Sequence, residues 1–301
     1  MRNLALLGIF GFLAQLINGA LGMGYGVTST TALLMLGVTP ALASATVNLS
    51  QVGSQLASGI AHWRFGNVDW ALVWRIALPG AVGAFLGALL LSWLSTEAAQ
   101  PLMSTILLAL GGYILFRFTV YGTPRGRFHG TLPTGFLAPL GLIAGFLNST
   151  GGGGWGPVGT SALLASGRME PRRVIGSISA AEFAVVLAGS AGFTVGLGLT
   201  GINVHWVLVL LLGGVLAAPL AAWLARHVPA RLLGSLVGGL LVLTNVGILF
   251  DVEWVNPDPP TQLTIYAVLL ALWAAAVMIS TRAHLRERSA TAEQELTSSS
   301  A

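Results

Sequence analysis

The fold is decided by a stretch near the middle of the chain, Leu147-Asn148-Ser149-Thr150-Gly151-Gly152-Gly153-Gly154-Trp155-Gly156-Pro157. This stretch lies inside an apolar run, 132–166, that is as hydrophobic as a membrane helix. Four consecutive glycines carry the largest backbone-entropy cost of helix formation, so an unbroken helix is not expected through them. Pro157 suits the first turn of a new helix. The stretch therefore predicts a helix, a break and a second half-helix, with the irregular backbone buried in protein or lining a cavity.

The composition indicates a polytopic membrane protein. Of the 301 residues, 54% are hydrophobic and 8% are charged, and the mean hydropathy is +0.81, whereas soluble domains carry about 25% charged residues. The first apolar run is interpreted as mature protein and not as a signal peptide. There is no cysteine, which excludes disulfides and thiolate metal sites. The small positive excess lies in loops, so we expect the cytoplasmic membrane and its lipids as surroundings and no nucleic-acid partner.

The two halves of the chain resemble each other. Residues 11–26 align with 141–156, which places Asn18 on Asn148 and Tyr25 on Trp155. Further downstream, the motif Asn-Val-Asp-Trp of the first half matches Asn-Val-His-Trp of the second. The predicted domains are a first membrane repeat (4–118), a cytoplasmic linker (119–132), a second membrane repeat (133–250), an extra transmembrane helix (262–281) and a polar tail (282–301).

The opening run of each repeat is too long for one crossing. Residues 4–36 as a single helix would measure about 50 Å, against about 30 Å of hydrocarbon. Either each run is a broken crossing, or it is a re-entrant hairpin that returns to its starting side. Arginines precede and follow the second run, and the positive-inside rule places both loops in the cytoplasm, which favours the hairpin. These arginines are Arg117, Arg125 and Arg127 before the run, and Arg168, Arg172 and Arg173 after it.

The fold class predicted from these features is an all-α polytopic membrane protein with two inverted repeats. Each repeat contains one re-entrant helical hairpin and three crossings, and one extra C-terminal helix follows. Because each repeat crosses the membrane three times, an odd number, the second repeat starts on the opposite side from the first and the two are inverted. Secondary transporters with inverted repeats bind their substrate near the membrane midplane. Broken crossings would instead give parallel repeats. The crossings are predicted at 40–62, 70–94, 98–118, 172–197, 204–225, 229–250 and 262–281.

The two breaks are candidate substrate sites. Each second half-helix would begin near Gly26 or Gly156 with its N-terminus inside the protein, where free N–H groups and the helix dipole suit an anion. No Arg or Lys lies deep in a predicted crossing, so such an anion would depend on these N–H groups and on polar side chains. Arg75 lies just inside a crossing, and its side chain either snorkels to the interface or approaches the anion pathway. The alternative is that the glycines only permit a tight turn. The polar candidates that follow the breaks are Thr28, Thr30, Thr160 and Ser161, and those in the next helix of each repeat are Asn48, Gln51 and Ser179.

One ionisable residue falls within a predicted crossing. Glu182 aligns with Gln51 of the first repeat and lies several residues into its helix. Acidic residues at membrane depth are functional hypotheses by default, so Glu182 is a candidate for carrying a coupling proton. The alternative is a neutral Glu that forms a structural hydrogen bond.

An enzyme is not indicated. No cluster of His, Asp and Glu has metal-ligand spacing, and neither a Gly-x-Ser-x-Gly elbow nor a P-loop is present. We therefore expect no cofactor and no metal.

The paired Asn-x-x-x-Gly-x-Gly-aromatic-Gly breaks resemble those of the sulfite exporter TauE/SafE family of membrane permeases. The segments Pro40-Ala41-Leu42-Ala43-Ser44-Ala45-Thr46 and His62-Trp63-Arg64-Phe65-Gly66-Asn67-Val68-Asp69 carry the same resemblance. It extends over nearly the whole chain up to about Phe250 and implies export of sulfite or a related sulfur-containing anion across the cytoplasmic membrane. The site residues that the resemblance implies are Asn18, Gly22, Gly24, Gly26, Asn148, Gly152, Gly154 and Gly156.

Two other functions remain open at this point. The chain could be a non-transporting scaffold or sensor, or it could be an anion channel, since broken helices also serve in channels. The polar groups that converge on the breaks favour a transporter with a small anionic substrate. The identity of the anion, the coupling ion and the oligomeric state, monomer or homodimer, stay open.

Overall fold

A computed structural model describes residues 2–21, 23–121, 132–166, 168–198, 202–227 and 229–299, and all regular structure in these ranges is helical. The first repeat contains α1 (Arg2–Leu21), α2 (Tyr25–Met35), α3 (Pro40–Arg64), α4 (Trp70–Trp93) and α5 (Thr96–Phe116), which ends in a π-helical turn (Arg117–Tyr121). The second repeat contains α6 (Thr134–Thr150), a π-helical turn (Trp155–Thr160) continued by α7 (Ser161–Ala165), α8 (Pro171–Leu197), α9 (Val204–His227) and α10 (Ala230–Phe250). The final helix is α11 (Pro259–Ser299). Most of the predicted linker, including Arg125 and Arg127, lies outside the described residues.

Several of these helices are long and apolar enough to cross a membrane. Within the described residues there are five, at Trp70–Trp93, Thr96–Tyr121, Arg172–Leu197, Arg231–Phe250 and Pro259–Arg286. Shorter apolar helices cover Ala5–Asn18, Thr134–Thr150 and Val204–Ala217. Helix α3 is long enough but carries many Ser, Thr, Asn and Gln side chains. The prediction of an all-helical, multi-pass membrane protein is therefore confirmed.

Helix α11 is longer than the sequence indicates. The predicted crossing ends at 281, but the helix continues to Ser299 through the expected polar tail. This continuation is rich in Ala, Glu and Arg, which are strong helix formers.

Both predicted breaks are present, and at each of them two helices pack side by side. In the second repeat, a Cβ atom on Gly154 would lie 2.5 Å from Leu147 Cβ, and one on Gly159 would lie 4.0 Å from Ala144 Cβ. The segment after the break therefore runs back along α6. Helix α2 likewise packs against α1 and has 11 residues, or about 16 Å.

The first helix of each repeat packs in parallel against the fourth helix of the other repeat. A Cβ atom on Gly83 of α4 would lie 2.9 Å from Phe146 N of α6. Similarly, a Cβ atom on Gly11 of α1 would lie 3.0 Å from Leu210 Cα of α9. Glycines thus bring these helix backbones close together, as is common between membrane helices.

The third helices of the two repeats, α3 and α8, run antiparallel. Asn48 near the start of α3 lies against Gly189 near the end of α8, whereas Gly59 lies against Ala180. Helix α4 packs in parallel on α8, with Phe85 against Gly192 and Ser92 against Gly196. Because α3 is antiparallel to α8, α3 and α4 also run in opposite directions.

The fifth helices of the repeats, α5 and α10, are also antiparallel. Gly111 packs against Leu241, and Leu115 packs against Gly238. Two pairs of repeat-equivalent helices therefore run in opposite directions within one packed molecule. Helix α11 runs antiparallel to α10, since Tyr266 lies against Gly247.

These directions place the arginines mainly at one end of the molecule and most of the described carboxylates at the other, although Asp69 and Glu170 lie at the arginine-rich end. We call one the cationic end, where α4, α6 and α8 begin and α3 and α11 reach their Arg residues. The opposite, acidic end holds the starts of α3, α5 and α11 and the end of α10. Arginines at the cationic end are Arg64, Arg168, Arg172, Arg173, Arg231, Arg282 and Arg286, and carboxylates at the acidic end are Glu97, Asp251, Glu253 and Asp258.

Candidate functional site

A small cavity lies between the two breaks. Its walls come from α1, the start of α2 and α3 in the first repeat, and from α6, the following turn and α8 in the second. The lining residues are Asn18, Met23, Gly24, Tyr25, Gly26, Gln51, Asn148, Gly153, Gly156, Pro157 and Glu182. They include four pairs that the internal repeat superimposes: Asn18 and Asn148, Met23 and Gly153, Gly26 and Gly156, and Gln51 and Glu182. The structure thus brings together many of the residues that the sequence singles out, from both repeats.

The tips of the two hairpins touch each other beside this cavity. Thr30 Oγ1 donates a hydrogen bond of 3.1 Å to the carbonyl oxygen of Gly152. A Cβ atom on Gly26 would lie 2.6 Å from Gly153 Cα, closer than real Cβ atoms approach. The glycines therefore let the two backbones meet.

Two glycines of the breaks adopt a left-handed backbone. Gly24 has a φ of 113° and Gly152 a φ of 69°. Side chains other than glycine rarely adopt these angles. Each break therefore contains a glycine in a conformation that other residues rarely adopt.

Both returning helices begin at the cavity. Gly24, Tyr25 and Gly26 form the start of α2, and Gly156 and Pro157 lie in the first turn after the second break. The first N–H groups of a helix have no acceptor within it, and they form the positive end of the helix dipole. The second start is a π-helical turn, where an ordinary α-helical turn was expected, and it contains Pro157, which has no N–H to donate.

The two equivalent asparagines have different surroundings. Asn148 Oδ1 accepts from the Trp155 N–H at 3.3 Å, and Asn148 Nδ2 donates to Asn48 Oδ1 at 3.3 Å. Asn18 lines the cavity and makes no hydrogen bond within the described part of the chain. The Asn18 amide is therefore free to bind a ligand, whereas the Asn148 amide holds the turn and the neighbouring helix.

The carboxyl group of Glu182 faces two amides of the other repeat. Glu182 Oε2 accepts from Gln55 Nε2 at 2.6 Å, and Glu182 Oε1 accepts from Gln51 Nε2 at 3.4 Å. Among the described residues, no cation lies within salt-bridge distance of this carboxyl group. Gln51 Oε1 is buried and has no partner in the same part of the chain. A proton on Glu182 could be donated to this oxygen after rotation of the Gln51 amide.

Several other predicted residues lie around the cavity and not on its wall. The Thr28 hydroxyl donates to Gly24 O at 2.8 Å, and Ser161 Oγ lies 3.7 Å from Met23 Sδ. Ser179 is half-buried on α8. Thr160 Oγ1 is buried without a hydrogen-bond partner in the described chain. Hydroxyl groups therefore contribute less to the wall of the central cavity than the sequence predicted.

The remaining predicted residues shape the breaks. Gly152 receives the Thr30 hydrogen bond, and a Cβ atom on Gly154 would meet Leu147 and Asn148 of α6. Asn48 contacts Asn148, as described above. Gly22 lies outside the described residues.

Gln55 and the apolar part of the wall were not among the predicted site residues. Gln55 lies four residues after Gln51, on the same face of α3, so helical spacing offered a signal for it. Met23 and Pro157 line the cavity with apolar atoms, and nothing in their chemistry marks them as site residues.

The central cavity is closed to all but a water-sized molecule. The space open within it is about 10 Å³, which is room for about one water. It shares no lining residue with the larger cavities at the two ends of the molecule. Within the described residues, no three His, Asp or Glu side chains form a metal site.

Comparisons with known proteins show the family of the chain. The model of the family described as "Sulfite exporter TauE/SafE" matches residues 7–248. The chain belongs to the sulfite exporter TauE/SafE family. A relative in Bacillus subtilis, called "Probable membrane transporter protein YtnM", is 46% identical over 92% of both chains.

More distant relatives carry similar names. A "Probable membrane transporter protein" of Haemophilus influenzae is 26% identical over 83% of this chain and 96% of its own. Another, from Xylella fastidiosa, is 30% identical over 75% of this chain and 86% of its own. No solved structure matches the chain. This member of the TauE/SafE family is a multi-pass membrane transporter.

Proposed function

We propose that the protein is a secondary transporter that exports sulfite, or a related small sulfur-containing oxyanion, across the cytoplasmic membrane. The observation that carries this proposal is the convergence of two helix N-termini and the unpaired Asn18 amide on one cavity. N–H groups and amide donors are suited to oxyanion oxygens. The family description supports sulfite as the anion.

The proposed transport path follows from two inverted repeats. The antiparallel directions of α3 and α8, and of α5 and α10, support this inversion. Under the positive-inside rule the cationic end faces the cytoplasm. Since the central cavity holds about one water, the anion is admitted when the hairpin tips move apart at one end, and it is released when they part at the other.

Glu182 is proposed to carry a proton together with the anion. An ionised Glu182 and an anion in the same cavity repel each other, so anion binding favours the protonated carboxyl group. A dianion that moves with one proton carries a net charge of −1. An inside-negative membrane potential drives such a charge outward, with about 2.3 kcal/mol per 100 mV.

Flux of radiolabelled sulfite into proteoliposomes, with and without a pH gradient, tests this function. We expect saturable uptake that is faster when the outside is more acidic, because proton and anion move together. Uptake that does not depend on the pH gradient and does not saturate would instead indicate a channel. Uptake no faster than in protein-free liposomes would contradict transport of sulfite and would favour a scaffold or sensor.

A further inference from the structure

A second cavity, of about 330 Å³, opens at the cationic end of the molecule. It lies among the start of α4, the start of α6 and the segment that leads into α8. Three arginines line it, Arg75, Arg168 and Arg173, together with two carboxylates, Asp69 and Glu170. We call it the arginine cavity.

The two carboxylates of the arginine cavity are engaged by groups other than its arginines. Asp69 Oδ1 accepts from the N–H groups of Ala71 and Leu72 at 3.0 and 3.2 Å, as the N-cap of α4. Glu170 Oε2 accepts from Arg172 Nε at 2.7 Å, and Arg172 does not line the cavity. Neither acid therefore forms an ion pair with Arg75 or Arg173.

Arg75 and Arg173 consequently present guanidinium groups that no ion pair engages among the described residues, in a cavity whose lining holds three arginines and two carboxylates. Neither makes a hydrogen bond or an ion pair within the described part of the chain, and both are exposed. Guanidinium groups bind oxyanions through paired N–H donors. The parallel helices α4, α6 and α8 also begin here, so the positive ends of three helix dipoles add to the same field.

The cavity at the acidic end has the opposite character. It measures about 690 Å³, and its lining includes Asp251 and no arginine. An anion is therefore attracted at the cationic end and not at the acidic end. Helix α8 joins the arginine cavity to the central one, because Glu182 follows Arg173 by nine residues, or about 14 Å of helix.

We infer that the arginine cavity is an oxyanion-binding subsite that loads the central cavity from the cationic end. The inference rests on the proposed function for the identity of the anion and for its passage into the central cavity. The same chemistry fits two sources of oxyanion: a free anion such as sulfite, and the phosphodiester of an anionic lipid. If the free anion binds there, the arginine cavity raises the anion concentration next to the hairpins, as charged clefts do for their substrates.

The test compares two double variants that remove the same charge. Arg75→Gln with Arg173→Gln removes the two unpaired cations of the cavity. Arg64→Gln with Arg282→Gln is the matched control, because these arginines are exposed at the same end and do not line the cavity. Sulfite flux is measured against sulfite concentration in phosphatidylcholine proteoliposomes, and binding of phosphatidylglycerol is measured on the purified proteins by native mass spectrometry.

We expect the cavity variant to have a KM for sulfite about tenfold above that of the parent, because it loses about one charge-assisted contact to the anion. Its kcat should stay within about twofold of the parent, and the control variant should show no change in either constant. If KM is unchanged but the cavity variant alone loses bound phosphatidylglycerol, the site takes a lipid phosphate and the loading role is overturned. If neither measurement separates the two variants, the oxyanion subsite itself is overturned. If the parent moves no sulfite, the proposed function fails, and calorimetric titration of sulfite into the parent and the cavity variant still decides whether the subsite exists.

Discussion

Gln55 and Glu182, 127 residues apart in sequence, are joined by a hydrogen bond of 2.6 Å from Gln55 Nε2 to Glu182 Oε2. This hydrogen bond and the one from Gln51 hold the Glu182 carboxyl group against α3 of the other repeat. Because Gln51 is the repeat equivalent of Glu182, the two halves place an amide and an acid face to face. The internal repeat is therefore chemically asymmetric where the anion is proposed to bind.

This asymmetry predicts the effect of Glu182→Gln. Glutamine keeps the shape of the side chain and imitates the protonated acid, so sulfite binding should persist while acceleration of uptake by external acid should disappear. Proteoliposome flux with and without a pH gradient measures this. Glu97→Gln removes an exposed carboxylate at the acidic end and serves as the control. Flux through Glu182→Gln that still follows the pH gradient would give Glu182 a structural role.

The two equivalent asparagines should respond differently to the same substitution. Asn18→Ala removes a free donor from the cavity, so sulfite should bind about ten- to a hundredfold more weakly with an unchanged thermal midpoint. Asn148→Ala removes the partner of Trp155 N–H and of Asn48. We expect it to lower the thermal midpoint, since lost helix-capping bonds cost about 1 kcal/mol. Calorimetric titration and thermal unfolding in detergent separate the two effects, and equal behaviour of the two variants would refute the assignment.

Contact between the hairpin tips can be tested at Gly26. In Gly26→Ala the new methyl group would lie 2.6 Å from Gly153 Cα, so the tips must separate. We expect a loss of roughly 1–3 kcal/mol in stability, as for other overpacked sites. Gly112→Ala in α5 is the control, because a Cβ atom there meets nothing within 4 Å, and it should be neutral or stabilising by up to about 1 kcal/mol. A thermal midpoint for Gly26→Ala at or above that of the control would contradict the contact.

Much of the fold could be predicted from the sequence, because its main signals are local. The glycine run after Asn148 predicted the second break, and the internal match to Asn18 predicted the first. Helices α3, α4, α8, α9 and α10 begin and end within three residues of their predicted bounds. The end of α11 was less predictable, because a polar segment rich in helix-forming residues can either continue the helix or fray.

The site was harder to predict, because its chemistry depends on contacts between repeats. Aligned residues such as Asn18 and Asn148 look alike in sequence, yet one amide is free and the other is engaged. Thr30 was predicted to bind substrate, but its hydroxyl donates to Gly152 of the other hairpin. The arginine cavity depends on packing of α4 against α8, so no local pattern predicted that Arg75 lies near Arg173.

A re-entrant second hairpin would place the loops before and after it on the same side of the membrane. The chain contains no natural cysteine, so single cysteines give unique labels. Cysteines at Pro133 and Arg172 flank the hairpin and should both react with a membrane-impermeant maleimide only from the cytoplasm. A cysteine at Asp251, at the acidic end, should react only from outside. Labelling of Pro133 and Arg172 variants from opposite sides would show that the second hairpin crosses the membrane.

The most direct measurement is the position of a bound oxyanion in a crystal of the protein soaked in selenite, a heavier analogue of sulfite. Anomalous scattering from selenium locates the anion without relying on its shape. We predict a peak between the hairpin tips, with its oxygens about 3 Å from the Asn18 amide and from the first N–H groups of α2. A peak in the arginine cavity is expected in addition. Selenium bound only outside the central cavity, at concentrations that saturate transport, would contradict anion binding between the two breaks.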